Sequence, residues 1–264
     1  MKTRNTPRIL GRIIAGSTAL LATAYASYAG LTWLRYGTKK RRSRGEEFDS
    51  LLDLYIPDHE VVERHQLAVA APAEVAFSAA CEMDASKWRT TRAIFKCREL
   101  VLRCIVGNRS SEEKAVGADA LPKELLESMK AIGWGLLAEI PGHEIVLGAI
   151  TRPWVPNPIF EAVPPEQFAS FKEPGYVKIA WMIRTDPVCA TKSIARTETR
   201  ATATDPVARR KFRRYWSLFA PGIVLIRRIL LRGVKSEAER RAHRVKLEYQ
   251  TAEFARSGRN VPSE

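Results

Sequence analysis

Histidine, cysteine and methionine are scarce in this chain, with four of each among 264 residues. Cys81, Cys97, Cys104 and Cys189 show neither the paired spacing of a disulfide scaffold nor the short doublets of a zinc site, which excludes both and fits a reducing compartment. They are expected as small buried hydrophobes; Cys97 and Cys104, seven apart in a helical stretch, should share a face without bridging. There is no glycine-rich phosphate loop, no histidine-carboxylate metal spacing and no nucleophile elbow, so neither cofactor nor metal is expected. Acidic residues are also short, 29 against 43 basic ones, and the net charge of +14 should draw the surface to anionic lipid or nucleic acid. Nucleic acid is set aside, because no recognition-helix or zinc-finger pattern accompanies the charge. Apolar side chains are plentiful at 45%, with 27% charged residues, which suits one globular domain plus an appendage.

Charge is absent from Ile13 to Leu34 (IIAGSTALLATAYASYAGLTWL), a run long enough to cross a bilayer as a helix, so residues 1–35 are expected to be a transmembrane anchor. Tyr25, Tyr28, Trp33 and Tyr36 would supply interfacial rings. A cleaved export signal is the competing reading, since Lys2, Arg4, Arg8 and Arg12 precede the run and Ala24 and Ala26 offer a small-x-small cut; the apolar run continues past that cut. Arg35, Lys39, Lys40, Arg41, Arg42 and Arg44 outnumber the basic residues before the span, which predicts a single-pass membrane protein with its main domain in the cytoplasm. Residues 36–59 read as a basic linker able to rest on anionic lipid.

The folded domain is expected to begin near Val61, where VVERHQLAV alternates with period two as a strand does. Pro72 opens a short helix, and residues 88–105 keep helical spacing with Ile94, Cys97, Val101 and Cys104 on one side. A polar connection at 107–120 leads to another helix after Pro122. WGLLAEI and HEIVLGAIT flank Pro141 and Gly142 and predict a hairpin, with His143 as a solvated turn residue. A short strand near Ile159 and a second hairpin, GYVKIAWMIRTD with KSIARTETRATATD, complete a mostly antiparallel sheet before one long helix.

VVERHQLAVAAPAEVAF at 61–77, MIRTDP at 182–187 and TETRATATDPVARRKFRRYW at 197–216 resemble START-like (SRPBCC) domains, the superfamily of polyketide cyclase/dehydrase and lipid-transfer proteins. The resemblance covers roughly residues 60–240 and implies an α+β helix-grip fold: a curved antiparallel sheet wrapped around the C-terminal helix, here preceded by the transmembrane helix. It also implies an apolar cavity between sheet and helix, and no shared catalytic set. Residues 241–264 remain as a charged helical extension with a disordered tail.

Phe212, Trp216, Phe219, Ile223, Ile226 and Leu230 form one stripe of the long helix and should roof the cavity, with a break or kink at Pro221. Alternation turns Val177, Ile179, Trp181 and Ile183 inward, and likewise Trp134, Leu136, Ala138 and Ile140. On the last strand Ala195, Thr197, Thr199, Ala201 and Ala203 leave room for a ligand, while Arg196, Glu198 and Arg200 pair at the surface. The expected ligand contacts are therefore Trp134, Leu136, Ile179, Trp181, Thr197, Thr199, Trp216, Phe219 and Ile223. Arg41, Arg42, Arg213, Arg214, Arg227 and Arg228 are assigned to a membrane-facing basic surface. The expected function is binding of a hydrophobic small molecule or lipid at a membrane. One alternative is a cyclase or dehydratase, for which Glu63 and His65, two apart on a strand, are the candidate base and partner. The other is a tethered interaction domain without a ligand.

Overall fold

The computed structural model describes residues 6–37, 41–43, 45, 48–84, 89–106, 122 and 124–257. The 107–120 connection and the tail beyond Ser257 lie outside the described residues. The elements in order are α1 (Thr6–Arg35), α2 (Ser50–Tyr55), β1 (Val61–Val69), α3 (Ala73–Cys81), α4 (Arg89–Val106), α5 (Leu125–Ala131), β2 (Gly135–Ile140), β3 (Glu144–Thr151), β4 (Phe160–Glu161), α6 (Pro165–Phe168), β5 (Val177–Cys189), β6 (Lys192–Ala203) and α7 (Pro206–Ser257). All strand pairings are antiparallel, in the order β1-β6-β5-β3-β2, with the short β4 on β3. The sheet is curved, and α7 lies along its inner face.

Each expected strand and long helix is present. Gly142 turns the first hairpin with φ +73°, a conformation glycine adopts without a Cβ clash. Pro206 sits at the first position of α7, and the Asp205 carboxylate accepts from Val207 N at 2.6 Å and Ala208 N at 3.0 Å. Pro221 breaks nothing: α7 runs unbroken through 52 residues. Its neighbours explain why, since Ala220 is fully buried and a Cβ on Gly222 would stand 2.9 Å from Ile94 Cγ2. Packing on both sides outweighs one missing hydrogen bond.

The anchor expectation is not supported. Among the described residues no helix is long and apolar enough to cross a membrane. α1 is 30 residues long, and its uncharged run is interspersed with Gly16, Ser17, Thr18, Thr23, Ser27, Gly30 and Thr32. Its C-terminal turn is instead attached to the body. Arg213 stacks 4.0 Å over the Trp33 ring and donates to the Trp33 carbonyl at 2.8 Å, while Tyr25 donates to Leu218 O. Tyr36, predicted as an interfacial ring, is buried edge-on against Trp216. The described part of 36–59 is packed as well, through the Arg41 to His59 backbone pairing and α2, which Asp49 caps by accepting from Leu52 N.

α2 and α6 create a second core on the outer face of the sheet, joining Leu52, Tyr55, Ile56 and Phe168 to Val146, Ala180 and Met182. Glu198 and Arg200 of the charged row of β6 are therefore interior rather than superficial, while Arg196 stays half-exposed and pairs across strands with Asp186 at 2.7 Å. Arg200 is 0% exposed and bridges Glu198 at 2.7 Å and Asp53 at 2.9 Å. Arg64 reaches the other oxygen of Glu198 at 2.5 Å.

Two further faces differ from expectation. α4 buries Arg98 and Leu102, and leaves Cys97, Leu100, Val101 and Cys104 exposed. Arg98 explains the rotation, donating to the carbonyls of Pro153 at 2.6 Å and Val155 at 3.1 Å and to Tyr215 Oη at 3.1 Å. Cys189 is also exposed and Cys81 is half-buried, so the cysteines are not core residues. In β2 a bulge between Leu136 and Ala138 turns Ala138 and Ile140 outward, and Leu137 folds over Gly148, where a Cβ would stand 2.4 Å from its Cδ1.

Candidate functional site

The inner face of the sheet is assembled by strand register. Glu63 pairs with Thr199, Thr199 with Trp181 and Trp181 with Leu147. One row along, His65 pairs with Thr197, Thr197 with Ile183 and Ile183 with Ile145. Residues two apart on each strand share this face, so Glu63 and His65 point toward α7 as alternation predicts. α7 answers with Phe212, Trp216, Ile226 and Leu230, all buried, and with Phe219 and Ile223, half-buried.

Trp181 occupies the middle of this interior. Its indole N–H donates to Thr197 Oγ1 at 2.7 Å, and that hydroxyl donates onward to Met182 O at 3.0 Å. Trp134 meets it edge-on at 6.3 Å and is itself stacked on Phe160 at 5.5 Å. Over its ring, 4.4 Å from the centroid, lies the Arg227 guanidinium. Arg227 therefore belongs to the interior and not to an outer basic surface. Of the other arginines assigned there, Arg213 holds α1 and Arg42 pairs with Asp58 at 2.8 Å, whereas Arg214 and Arg228 are exposed.

Arg227 makes no hydrogen bond or ion pair among the described residues, and its Nε is sealed from solvent without a partner. Burial alone pushes its pKa down to about 9. Thr199 Oγ1, His65 Nε2, Trp134 Nε1 and Trp216 Nε1 are likewise buried without a hydrogen-bond partner. Burial draws the Glu63 carboxyl above the usual range, against the pull of the Tyr36 hydroxyl, which donates to Oε1 at 3.1 Å, and of Arg35 and Arg228. The His65 imidazole is held below its ordinary value by burial and then by Arg228 and Arg227, which keeps it neutral near pH 7. Its Nε2 lies 3.6 Å from Glu63 Oε2, beyond hydrogen-bond range.

Of the expected ligand contacts, Trp134, Ile179, Trp181, Thr197, Thr199, Trp216, Phe219 and Ile223 lie in or beside this interior. Leu136 does not: it is 40% exposed, because β2 is an edge strand and the bulge ends its alternation. Arg227 and Tyr36 were missed. The signal for Arg227 is its position, since Trp216, Ala220, Ile223, Arg227, Leu230 and Val234 advance by four and three along one helical stripe. His143 has its Nδ1 2.9 Å from Thr185 O, tying the turn to β5. Among the described residues no cluster of histidine, cysteine and carboxylate side chains suits a metal ion.

No family model and no curated protein matches the sequence. Three solved structures are similar over about two thirds of the chain. The di-domain aromatase/cyclase BexL of the BE-7585A biosynthetic pathway is 15% identical with a TM-score of 0.31, over 68% of this chain and 46% of its own. A conserved protein of Geobacillus kaustophilus is 10% identical with a TM-score of 0.28, over 68% and 96%. The Zhui aromatase/cyclase of Streptomyces sp. R1128 is 13% identical with a TM-score of 0.25, over 69% and 94%. The curved antiparallel sheet with the long α7 on its inner face stands on this chain's own strand order and register.

Proposed function

We propose that this START-like domain binds a hydrophobic small molecule or lipid between the sheet and α7. The observation that carries the reading is a set of buried polar atoms without hydrogen-bond partners, on Arg227, Thr199, His65 and Trp216, between the sheet and α7 in a largely apolar interior. Buried polar groups are ordinarily hydrogen-bonded, and a few of them set in an apolar wall are what orient a ligand. Small side chains on β6, from Ala195 through Thr199 to Ala203, keep the wall opposite α7 low. The test is native mass spectrometry of the full chain with solvent extraction. A stoichiometric hydrophobic molecule is expected; an empty protein that also fails to enhance Nile red fluorescence overturns the proposal.

Geometry also favours a catalytic variant of this reading, in which His65 and Glu63 serve as base and partner in a cyclisation or dehydration. Both groups face the same interior, a 3.6 Å gap separates them, and burial shifts each toward its neutral form. Replacing His65 and Glu63 with Gln should abolish turnover in an aldol-cyclisation assay, and unchanged turnover removes this variant.

A further inference from the structure

Arg227 sets a problem that the apolar character of the site does not solve. A guanidinium keeps its charge at any physiological pH, and withdrawing even part of it from water without an opposite charge is unfavourable, a cost that Arg227 incurs because it is half-buried with its Nε sealed from solvent. Elsewhere in this protein that cost is met. Arg200 has Glu198 and Asp53, Arg209 has Glu60, Arg184 has Asp49, and Arg98 has three carbonyls and a tyrosine hydroxyl. Among the described residues Arg227 has only the face of Trp181. Stacking offsets part of the loss and leaves the in-plane donors, the sealed Nε among them, without a protein partner among the described residues.

The surroundings define what answers them. Glu63 and His65 are the titratable groups on the facing strand β1; of these, only Glu63 carries negative charge, and it is engaged by Tyr36. Thr199 Oγ1 lies one strand position from Trp181 and is free to donate. The planar fork of one arginine with a hydroxyl beside it matches the two oxygens of a monocarboxylate. Trp216, Phe219 and Ile223, one to three turns earlier on α7, continue the apolar surface away from that charge.

Resting on the binding function proposed above, we infer that the ligand is an amphiphilic carboxylic acid, whose carboxylate pairs with Arg227 over Trp181 and whose apolar body lies along Trp216, Phe219 and Ile223. The full chain is titrated with decanoate, 1-decanol and methyl decanoate at pH 7.5, following Trp fluorescence. Wild type should bind decanoate at least about tenfold more tightly than either neutral probe, and Arg227→Gln should erase the preference by weakening decanoate alone, a difference of about 1.4 kcal/mol. Equal binding of all three by wild type overturns the carboxylate and leaves the hydrophobic site standing. Binding of none overturns both. A preference that survives in a folded Arg227→Gln places the anion elsewhere and also overturns the inference. Should that variant not fold, Thr199→Val read against the same three probes must narrow the preference, and its failure to do so counts against the site.

Discussion

Glu144 shows how far a single side chain departs from its solution chemistry. It is 2% exposed, its pKa is pushed up to about 8 by burial and by the neighbouring Asp49 carboxylate, and Arg184 opposes the rise. A carboxyl whose native pKa lies above its unfolded value binds more protons when folded, so its contribution to stability is present below about pH 4.3 and is lost as pH rises through about 8. Glu144→Gln should flatten that fall, and urea midpoints measured at pH 5 and pH 8 check it. Arg98 makes the opposite case, a cation held by carbonyls; Arg98→Ala strands several acceptors and should cost about 3 kcal/mol by chemical denaturation. Gly133 is fixed by geometry rather than charge. With φ +101° and a Cβ position 1.9 Å from Phe160 O, Gly133→Ala should destabilise by more than about 1 kcal/mol, read as a drop in Tm.

Strands and long helices were legible in the sequence because their periods survive locally. β1, β5 and β6 follow the alternation of VVERHQLAV, KIAWMIRTD and KSIARTETRATA, and the Phe212 to Leu230 stripe follows helical spacing. What failed was whatever depends on a partner distant in sequence. The face of α4 is chosen by carbonyls 55 to 58 residues away, and the buried ions of β6 by α2, 145 residues before Glu198 when counted from Asp53. The transmembrane reading of α1 finds no support among the described residues, where its C-terminal part is tied to α7 through Trp33, Tyr36 and Tyr25. Most of the candidate interior was readable: Glu63, His65, Trp181, Thr197 and Thr199 by alternation, but Arg227 only by giving its place on the stripe more weight than its charge. At the scale of the element, Pro221 forfeits a hydrogen bond inside α7. Pro221→Ala should therefore raise stability, by up to about 3 kcal/mol, seen as a higher Tm.

The whole molecule is two cores on either side of one sheet. Inside the grip the sheet meets α3 and α7; outside, it meets α2 and α6 with buried ion pairs between. Only the inner face is thereby left for the proposed ligand, since α2 and α6 cover the outer one. α7 outlasts both cores. Ala238 is its last fully buried residue, and Val245, Leu247 and Tyr249 stand in solvent. At about 1.5 Å per residue the 52-residue helix measures ~78 Å, against ~47 Å for a sphere with the radius of gyration usual for a chain of this size. In solution the molecule should consequently tumble as a body carrying a mast, with slow rotation about its short axes and a small-angle scattering profile whose longest interatomic vectors trace a single helix.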